Sequence, residues 1–426
     1  MSNIEKLQAE NRQLQLAINE LKILNDIATT ISSVQSVDEI INQIVMKCIK
    51  HIGVEEGTIN LLEMNTEGED FHTMVRHRDT SGVKVPFRMD AGLKGWMLKN
   101  RTSFVSNDIR HDDRFQFLTD DEYPFDSILC VPLIVKGEMT GYLAVFNKRK
   151  GDFTDEDRRL LSIIGSQSAQ IIENARLLEE EKRLITLQEE LSMATQIQRK
   201  LLPDATPDIS GYQLFATNIP AKSVGGDYYD FVPLSDDRLA FCLADITGKG
   251  MPAAMLMANL QATFRSQVLV NDDCAICIKR TNTLLYRSTE STKFATMIYG
   301  ALDPKSGQIK YTNGGHDCPI LFKKNQAPLE LESTGLLLGI FEESDYTQES
   351  IQLEPGDLLL IFSDGITEAM NSDLEMFGTN RLEELVQKNV DKPVSEIGSI
   401  ILDGIKEHAG GNTQSDDITL MLIKRV

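Results

Sequence analysis

Residues 225–250 read GGDYYDFVPLSDDRLAFCLADITGKG. Two aspartates, Asp227 and Asp245, stand in glycine-containing settings, and the second closes RLAFCLA, an apolar run of strand character. If 224–232 is a strand, alternation puts Asp227, Tyr229 and Phe231 on one face and Tyr228 and Asp230 on the other, so Asp230 does not join Asp227. Gly225 and Gly226 permit a close backbone approach beside Asp227. After Asp245 the turn ITGKG leads into a helix opening at Met251, with Pro252 suited to its first turn.

Further along, the same texture recurs. DLLLIFS ends at Asp364, and Asp416 and Asp417 immediately precede ITLMLIK. Any one of these acidic turns alone is ordinary turn chemistry. Together they present carboxylates at the ends of buried strands, where they repel one another and raise each other's pKa unless a cation lies between them. Oxygen ligands with no histidine or cysteine in those turns select hard divalent ions, Mn²⁺ or Mg²⁺ rather than zinc. Lys222 and Lys249 are candidate cations for a phosphate, although a lysine in a surface turn is ordinarily just solvated. His316 is a candidate general acid, but a lone turn histidine is more commonly structural.

Composition narrows the class. At 426 residues the chain is long enough for two or three domains. Its net charge of −21 repels phosphodiester backbones and anionic headgroups, which argues against nucleic acid and membrane partners. No apolar run approaches the roughly eighteen residues of a membrane span, and MSNIEKLQAE lacks the basic and apolar regions of a signal peptide, so a cytoplasmic protein is expected. The six cysteines are mostly scattered among apolar neighbours, as suits a reducing compartment. Cys274 and Cys277 form a lone CxxC on an expected helix and read as packing rather than as a metal or redox pair.

Ile4, Leu7, Asn11, Leu14, Ile18, Leu21 and Asn25 alternate steps of three and four, the seam of a short coiled coil, and Asn11 at an a-type position favours a parallel homodimer. From Val37 a helical pattern gives way to strand-like stretches at 57–64, 73–76, 127–135 and 140–147, the last two forming a hairpin. Thr154 is a plausible N-cap, followed by Asp155, Glu156 and Asp157 in the first turn. The helical pattern then runs to Leu202, about 70 Å at 1.5 Å per residue, too long to pack on one small domain. Its later part reads as a linker in which Leu177, Leu184 and Leu191, with Leu187 and Ala194 interleaved, form a second, weaker seam.

AGLKGWMLKN, SILCVPL, GYLAVFNK and FTDEDRRLLSIIGSQSAQIIENARL resemble a GAF domain, a module of small-molecule sensing and dimerisation with an antiparallel sheet flanked by helices. Asn147, Lys148, Phe153 and Asp157 are similar to the signature of cyclic-nucleotide-binding GAF domains, but Arg158 stands where its final glutamate belongs, leaving the ligand an unknown small molecule. Trp96 reads as core or pocket wall.

The ordered segments ATQIQRKLLP, VGGDYYDF, ADITGKGMPAAMLMA, FATMIYGALDP, TNGGHDCPIL, LEPGDLLLIFSDGITEAMN, FGTNRLEELV and QSDDITLMLI resemble the SpoIIE-like, RsbU-type branch of the PPM metal-dependent protein phosphatases. The heptad seams and the two resemblances together imply an α+β chain with an N-terminal coiled-coil helix at 1–23, a GAF domain at 24–176, a helical coiled-coil linker at 177–203 and a PPM α-β-β-α sandwich at 204–426. The PPM resemblance further implies that Asp227, Asp245 and the Ile246 carbonyl hold metal on one side and Asp364 and Asp416 on the other, with Asp417 the weaker ligand candidate beside Asp416. The activity implied is two-metal hydrolysis of phosphoserine or phosphothreonine, with a phosphorylated STAS-domain anti-anti-sigma protein as partner in bacterial partner switching. Gly314, Gly315, His316 and Asp317 depart from the family's AGHNP. One rival is a pseudophosphatase scaffold, against which the four retained aspartates argue. A diguanylate cyclase reading of the GGD at 225–227 leaves Asp364 and Asp416 without a role.

Overall fold

The computed structural model describes residues 36–65, 68–78, 87–115, 125–234, 237–290, 292–324 and 326–426 and scattered positions between 6 and 26, without the side chains of 63–92. It divides into two compact units, Met1–Thr186 and Leu187–Val426. Among the described residues no helix is long and apolar enough to cross a membrane.

In the first unit α1 (Val37–Ile52) starts where the Ser36 side chain accepts a hydrogen bond from the Glu39 amide and stops at Gly53, whose φ of 70° only glycine adopts cheaply. The strands β1 (Val54–Asn65), β2 (Gly68–Arg78), β3 (Phe104–Ser106), β4 (Ile128–Val135) and β5 (Glu138–Lys148) form one antiparallel sheet in the order β2-β1-β5-β4-β3. The hairpin between β4 and β5 turns on Lys136 and Gly137, both at positive φ, two residues tighter than the sequence pattern suggests. α2 (Phe87–Asn100) lies between β2 and β3 in the chain. Ile41, Ile44 and Val45 of α1 share a core with Leu161 and Ile164 of the long helix α3 (Asp155–Arg199), while Phe104, Phe115, Phe125 and Tyr142 belong to a second core.

The motif around Asn147 is a brace. Lys148 pairs with Asp157, Phe153 is buried in the core, and Asn147 caps the 126–127 amides while donating to Glu55 at 3.0 Å. Thr154 and Asp157 exchange hydrogen bonds across the first turn of α3, a capping box. α3 is one continuous helix of 45 residues, and Leu177, Leu184 and Leu187 on its linker part are exposed. Of the N-terminal seam, Leu7, Leu14, Ile18 and Leu21 are helical and exposed, and Ile4 lies outside the described residues.

The second unit is a four-layer sandwich. One sheet, in the order β13-β10-β9-β8-β7, comprises β7 (Tyr228–Pro233), β8 (Leu239–Ile246), β9 (Ala295–Asp303), β10 (Gln308–Gly314) and β13 (Glu349–Gln352). The other, in the order β12-β11-β14-β15-β6, comprises β6 (Tyr212–Ile219), β11 (Ile320–Phe322), β12 (Leu329–Glu330), β14 (Leu358–Phe362) and β15 (Ile418–Arg425). Strand periodicity sorts β8 cleanly. Leu239, Phe241 and Leu243 enter the core between the sheets, and Ala240, Cys242, Ala244 and Ile246 enter the core under α4 (Met251–Val268) and α5 (Cys274–Ser288). On the far sheet Met421 and Ile423 of β15 face the inner core, while Leu420 and Leu422 pack with Leu382 of α7 (Thr379–Gln387) and Ile401 of α8 (Val394–Ala409). Because both faces of these strands are covered, their runs are continuously apolar, and each fully buried large side chain contributes about 1.5–3 kcal/mol. Cys274 and Cys277 lie in the α5 core with their thiols pushed up by burial, that of Cys274 to about 12.

Candidate metal centre

The aspartates singled out in the sequence converge at one end of the two central strand pairs. Asp227 immediately precedes β7, Asp245 lies near the end of the adjacent β8, Asp364 opens the short helix α6 (Asp364–Thr367) after β14, and Asp416 and Asp417 precede β15, which pairs with β14. Gly226 lets the β7 and β8 ends close on one another, since a Cβ there would stand 2.8 Å from the Ile246 carbonyl oxygen. The glycine of the Asp-Gly pair has an equally local reason. A Cβ on Gly365 would stand 2.0 Å from the Asp417 carbonyl oxygen, so only glycine allows the 416–417 turn to rest on α6.

The electrostatics are those of crowded carboxylates. Asp227, 2 % exposed, is pushed well above the usual carboxylate range, first by burial and then by Asp245, although Thr419 donates its hydroxyl to Asp227 Oδ2. Burial also raises Asp245, with Asp416 and Asp417 adding to it, while a hydrogen bond from the Asp227 carboxyl offsets part of the rise. Asp364 is pushed up to about 7 by burial and then by Asp245 and Asp416. Among the described residues no three His, Cys, Asp or Glu side chains are drawn tightly enough to hold an ion. They stand within mutual repulsion, each raising its neighbours, which is the arrangement a bound cation would relieve. The donor set therefore fits a hard divalent metal.

The two neighbours at 416 and 417 do different work. Asp417 is 8 % exposed, and both of its oxygens are engaged by backbone amides: Oδ1 by Ala221 N at 2.7 Å, and Oδ2 by Gly226 N at 2.6 Å and Asp227 N at 3.4 Å. Asp416 takes Lys249 Nζ at 2.7 Å, and the same ammonium donates to Ser415 O at 2.6 Å. Lys249 thus orients a carboxylate.

Residues 235–426 match the sequence profile of the family described as Stage II sporulation protein E (SpoIIE), and residues 34–173 match that of the GAF domain. A segment similar to SpoIIE thus follows a segment similar to a GAF domain, each match covering less than half of the chain. It is 32% identical over 263 residues to Protein IcfG of Synechocystis sp. (strain ATCC 27184 / PCC 6803 / Kazusa), covering 55% of this chain and 41% of that protein. With phosphoserine phosphatase RsbU of Bacillus subtilis (strain 168) it shares 29% identity over 242 residues, covering 56% of this chain and 71% of RsbU. The SiaA-PP2C domain of Pseudomonas aeruginosa superposes with a TM-score of 0.51 at 20% identity, over 57% of this chain and 98% of that domain, which shows the fold.

Three further residues stand near the aspartates, and of these the sequence assigns no role to Asp317. Asp317, in the segment that departs from AGHNP, is pushed up to about 6 by burial and then by Asp245 and Glu368, so a further carboxyl faces the cluster. Asp230 faces away, fully buried, where Arg265 grips both oxygens at 2.6 and 3.0 Å and Tyr228 donates its hydroxyl at 2.6 Å. His316 is buried with Nδ1 2.8 Å from the Thr296 hydroxyl, and burial lowers its pKa to about 4, which keeps the ring neutral. The Asn313 side chain bonds both the amide and the carbonyl of His316, so this histidine anchors its turn.

Proposed function

We propose that the chain is a metal-dependent phosphoprotein phosphatase that hydrolyses phosphoserine or phosphothreonine, with the GAF domain as its regulatory input. The observation that carries this reading is the convergence of Asp227, Asp245, Asp364 and Asp416 from four separate segments into one set of mutually repelling carboxyls. In this reading Asp227, Asp245 and the Ile246 carbonyl hold one side of a pair of Mn²⁺ or Mg²⁺ ions, and Asp364 and Asp416 hold the other. Asp417 leaves the ligand set, because its oxygens are already committed to the 221–227 backbone.

Bound there, two divalent ions would lower the pKa of a water for in-line attack on phosphorus and neutralise the phosphoryl oxygens. The chain's own residues fix the geometry. Thr419 orients the Asp227 carboxyl, Lys249 orients Asp416, and Asp417 locks the loop that leads into Asp227. His316, neutral and turned to Thr296, anchors its loop and is no proton donor at neutral pH.

RsbU is named a phosphoserine phosphatase, which supports a phosphoserine substrate here. The RsbU-type resemblance supports a phosphorylated STAS-domain protein as that substrate. A homodimer through the N-terminal and linker helices is supported by exposed Leu7, Leu14, Ile18 and Leu21 on the first and Leu177, Leu184 and Leu187 on the second. The test is release of phosphate from a panel of serine-phosphorylated STAS-domain proteins with and without Mn²⁺. Metal-dependent release from at least one member is expected, and turnover unaffected by chelator would sink the reading.

A further inference from the structure

The last turns of α3 reach the loop that delivers Asp227. Gln198 meets Gly225 with both ends of its amide: Nε2 donates to Gly225 O at 2.7 Å, and Oε1 accepts from Gly225 N at 3.1 Å. One turn earlier, Thr195 Oγ1 lies 2.8 Å from Ser223 O and 2.9 Å from Leu191 O, so its single proton serves either the loop or its own helix. A side-chain amide that closes both hydrogen bonds of one residue copies a strand pairing and fixes that backbone in position and orientation. Gly225 is two residues from Asp227, and the next amides, of Gly226 and Asp227, are taken by Asp417. The loop at 221–227 is therefore held on one side by the turn before β15 and on the other by the end of α3.

We propose that Gln198, assisted by Thr195, is a positioning residue for Asp227, so that the seating of the α3 end sets how well the carboxylate cluster binds a divalent cation. The inference rests on the metal-dependent phosphatase reading and names a residue outside the acidic motifs. Asp417 alone leaves the loop a hinge at 223–225. Gln198 removes that freedom, and a carboxylate free to sample other positions binds metal more weakly by the fraction of time it spends out of place. Thr195 has an alternative acceptor in Leu191 O, so it can release the loop without stranding its own proton.

The test uses the full chain with calorimetric Mn²⁺ titration, p-nitrophenyl phosphate turnover and metal-free melting. Gln198→Ala is expected to bind Mn²⁺ about ten-fold more weakly, from the loss of two hydrogen bonds. Its metal-free fold should stay intact, with a fall in melting temperature of only a few degrees relative to Met193→Gln, a control at a position 64 % exposed on the same helix. Activity of the alanine variant should return at saturating Mn²⁺. Thr195→Val should weaken Mn²⁺ binding about three-fold, and Thr195→Ser, which keeps the hydroxyl, should restore it. Wild-type Mn²⁺ affinity in Gln198→Ala would overturn the proposal, as would a fall in metal-free melting with the affinity of the folded protein unchanged. If the wild-type protein itself fails to bind Mn²⁺, the metal-dependent phosphatase reading fails instead.

Discussion

Gly226→Ala is a small perturbation with a calculable consequence. The added Cβ would lie 2.8 Å from Ile246 O and 3.3 Å from the Ala253 Cβ. An ordinary carbon–oxygen contact is no closer than about 3.3 Å, so the β7 and β8 ends must part by about half an ångström. Neither neighbour yields easily, because Ile246 is in the ladder with Ala295 and Ala253 is packed in the core under α4. Overpacking of this kind costs about 1–3 kcal/mol of stability. The effect on chemistry should be larger in proportion, since the parting separates Asp227 from Asp245 and the Ile246 carbonyl, and misplacement by about 1 Å can cost about a hundred-fold in rate. Half that displacement gives a loss of about ten-fold in kcat/KM for p-nitrophenyl phosphate, measured in the folded fraction at saturating Mn²⁺. A variant with wild-type kcat/KM and an unchanged melting temperature would refute the claim that close approach at Gly226 builds the site.

Other expectations follow from buried groups. Arg265→Met leaves Asp230 fully buried with only Tyr228 and the Phe231 amide as partners; Arg265 is itself 46 % exposed, so the loss should sit near the low end for a broken buried pair, about 3 kcal/mol by denaturant unfolding. His316 has a folded pKa of about 4, below its unfolded value, so its contribution is present above about pH 6.5 and is lost as pH falls towards 4. His316→Gln should therefore flatten the acid side of the stability profile. Asp364 and Asp317, raised to about 7 and about 6, act with the opposite sign. In metal-free protein their protonated forms are favoured by the fold, so stability should fall as pH rises through that range, and Mn²⁺ should reverse the trend in melting experiments.

The parts of this protein legible in its sequence are those governed by local pattern. Continuous apolar runs flanked by aspartate, at the end of β8 and β14 and at the start of β15, identify these strands, because a strand covered on both faces stays largely apolar until it emerges. The Thr154 cap and the β4–β5 hairpin were equally local. What escaped depends on meetings between distant segments. Gln198 and Gly225 are 27 residues apart and Asp417 and Gly226 are 191 apart, and nothing in either partner's neighbourhood announces the hydrogen bond. Asp417 reads from the sequence as the weaker ligand candidate beside Asp416, and only the fold shows that its oxygens accept from the Ala221 and Gly226 amides. Asp317 looked like a departure from a motif, and only the fold shows that its carboxyl faces Asp245.

The central claim is that one set of aspartates holds the metal on which phosphoester hydrolysis depends, and Asp245→Ala tests it most directly. Mn²⁺-dependent hydrolysis of p-nitrophenyl phosphate should disappear in the variant, with circular dichroism and melting showing an intact fold, and wild-type activity should vanish with chelator and return on adding Mn²⁺. Full activity in Asp245→Ala, or in the wild-type protein with chelator present, would contradict the account.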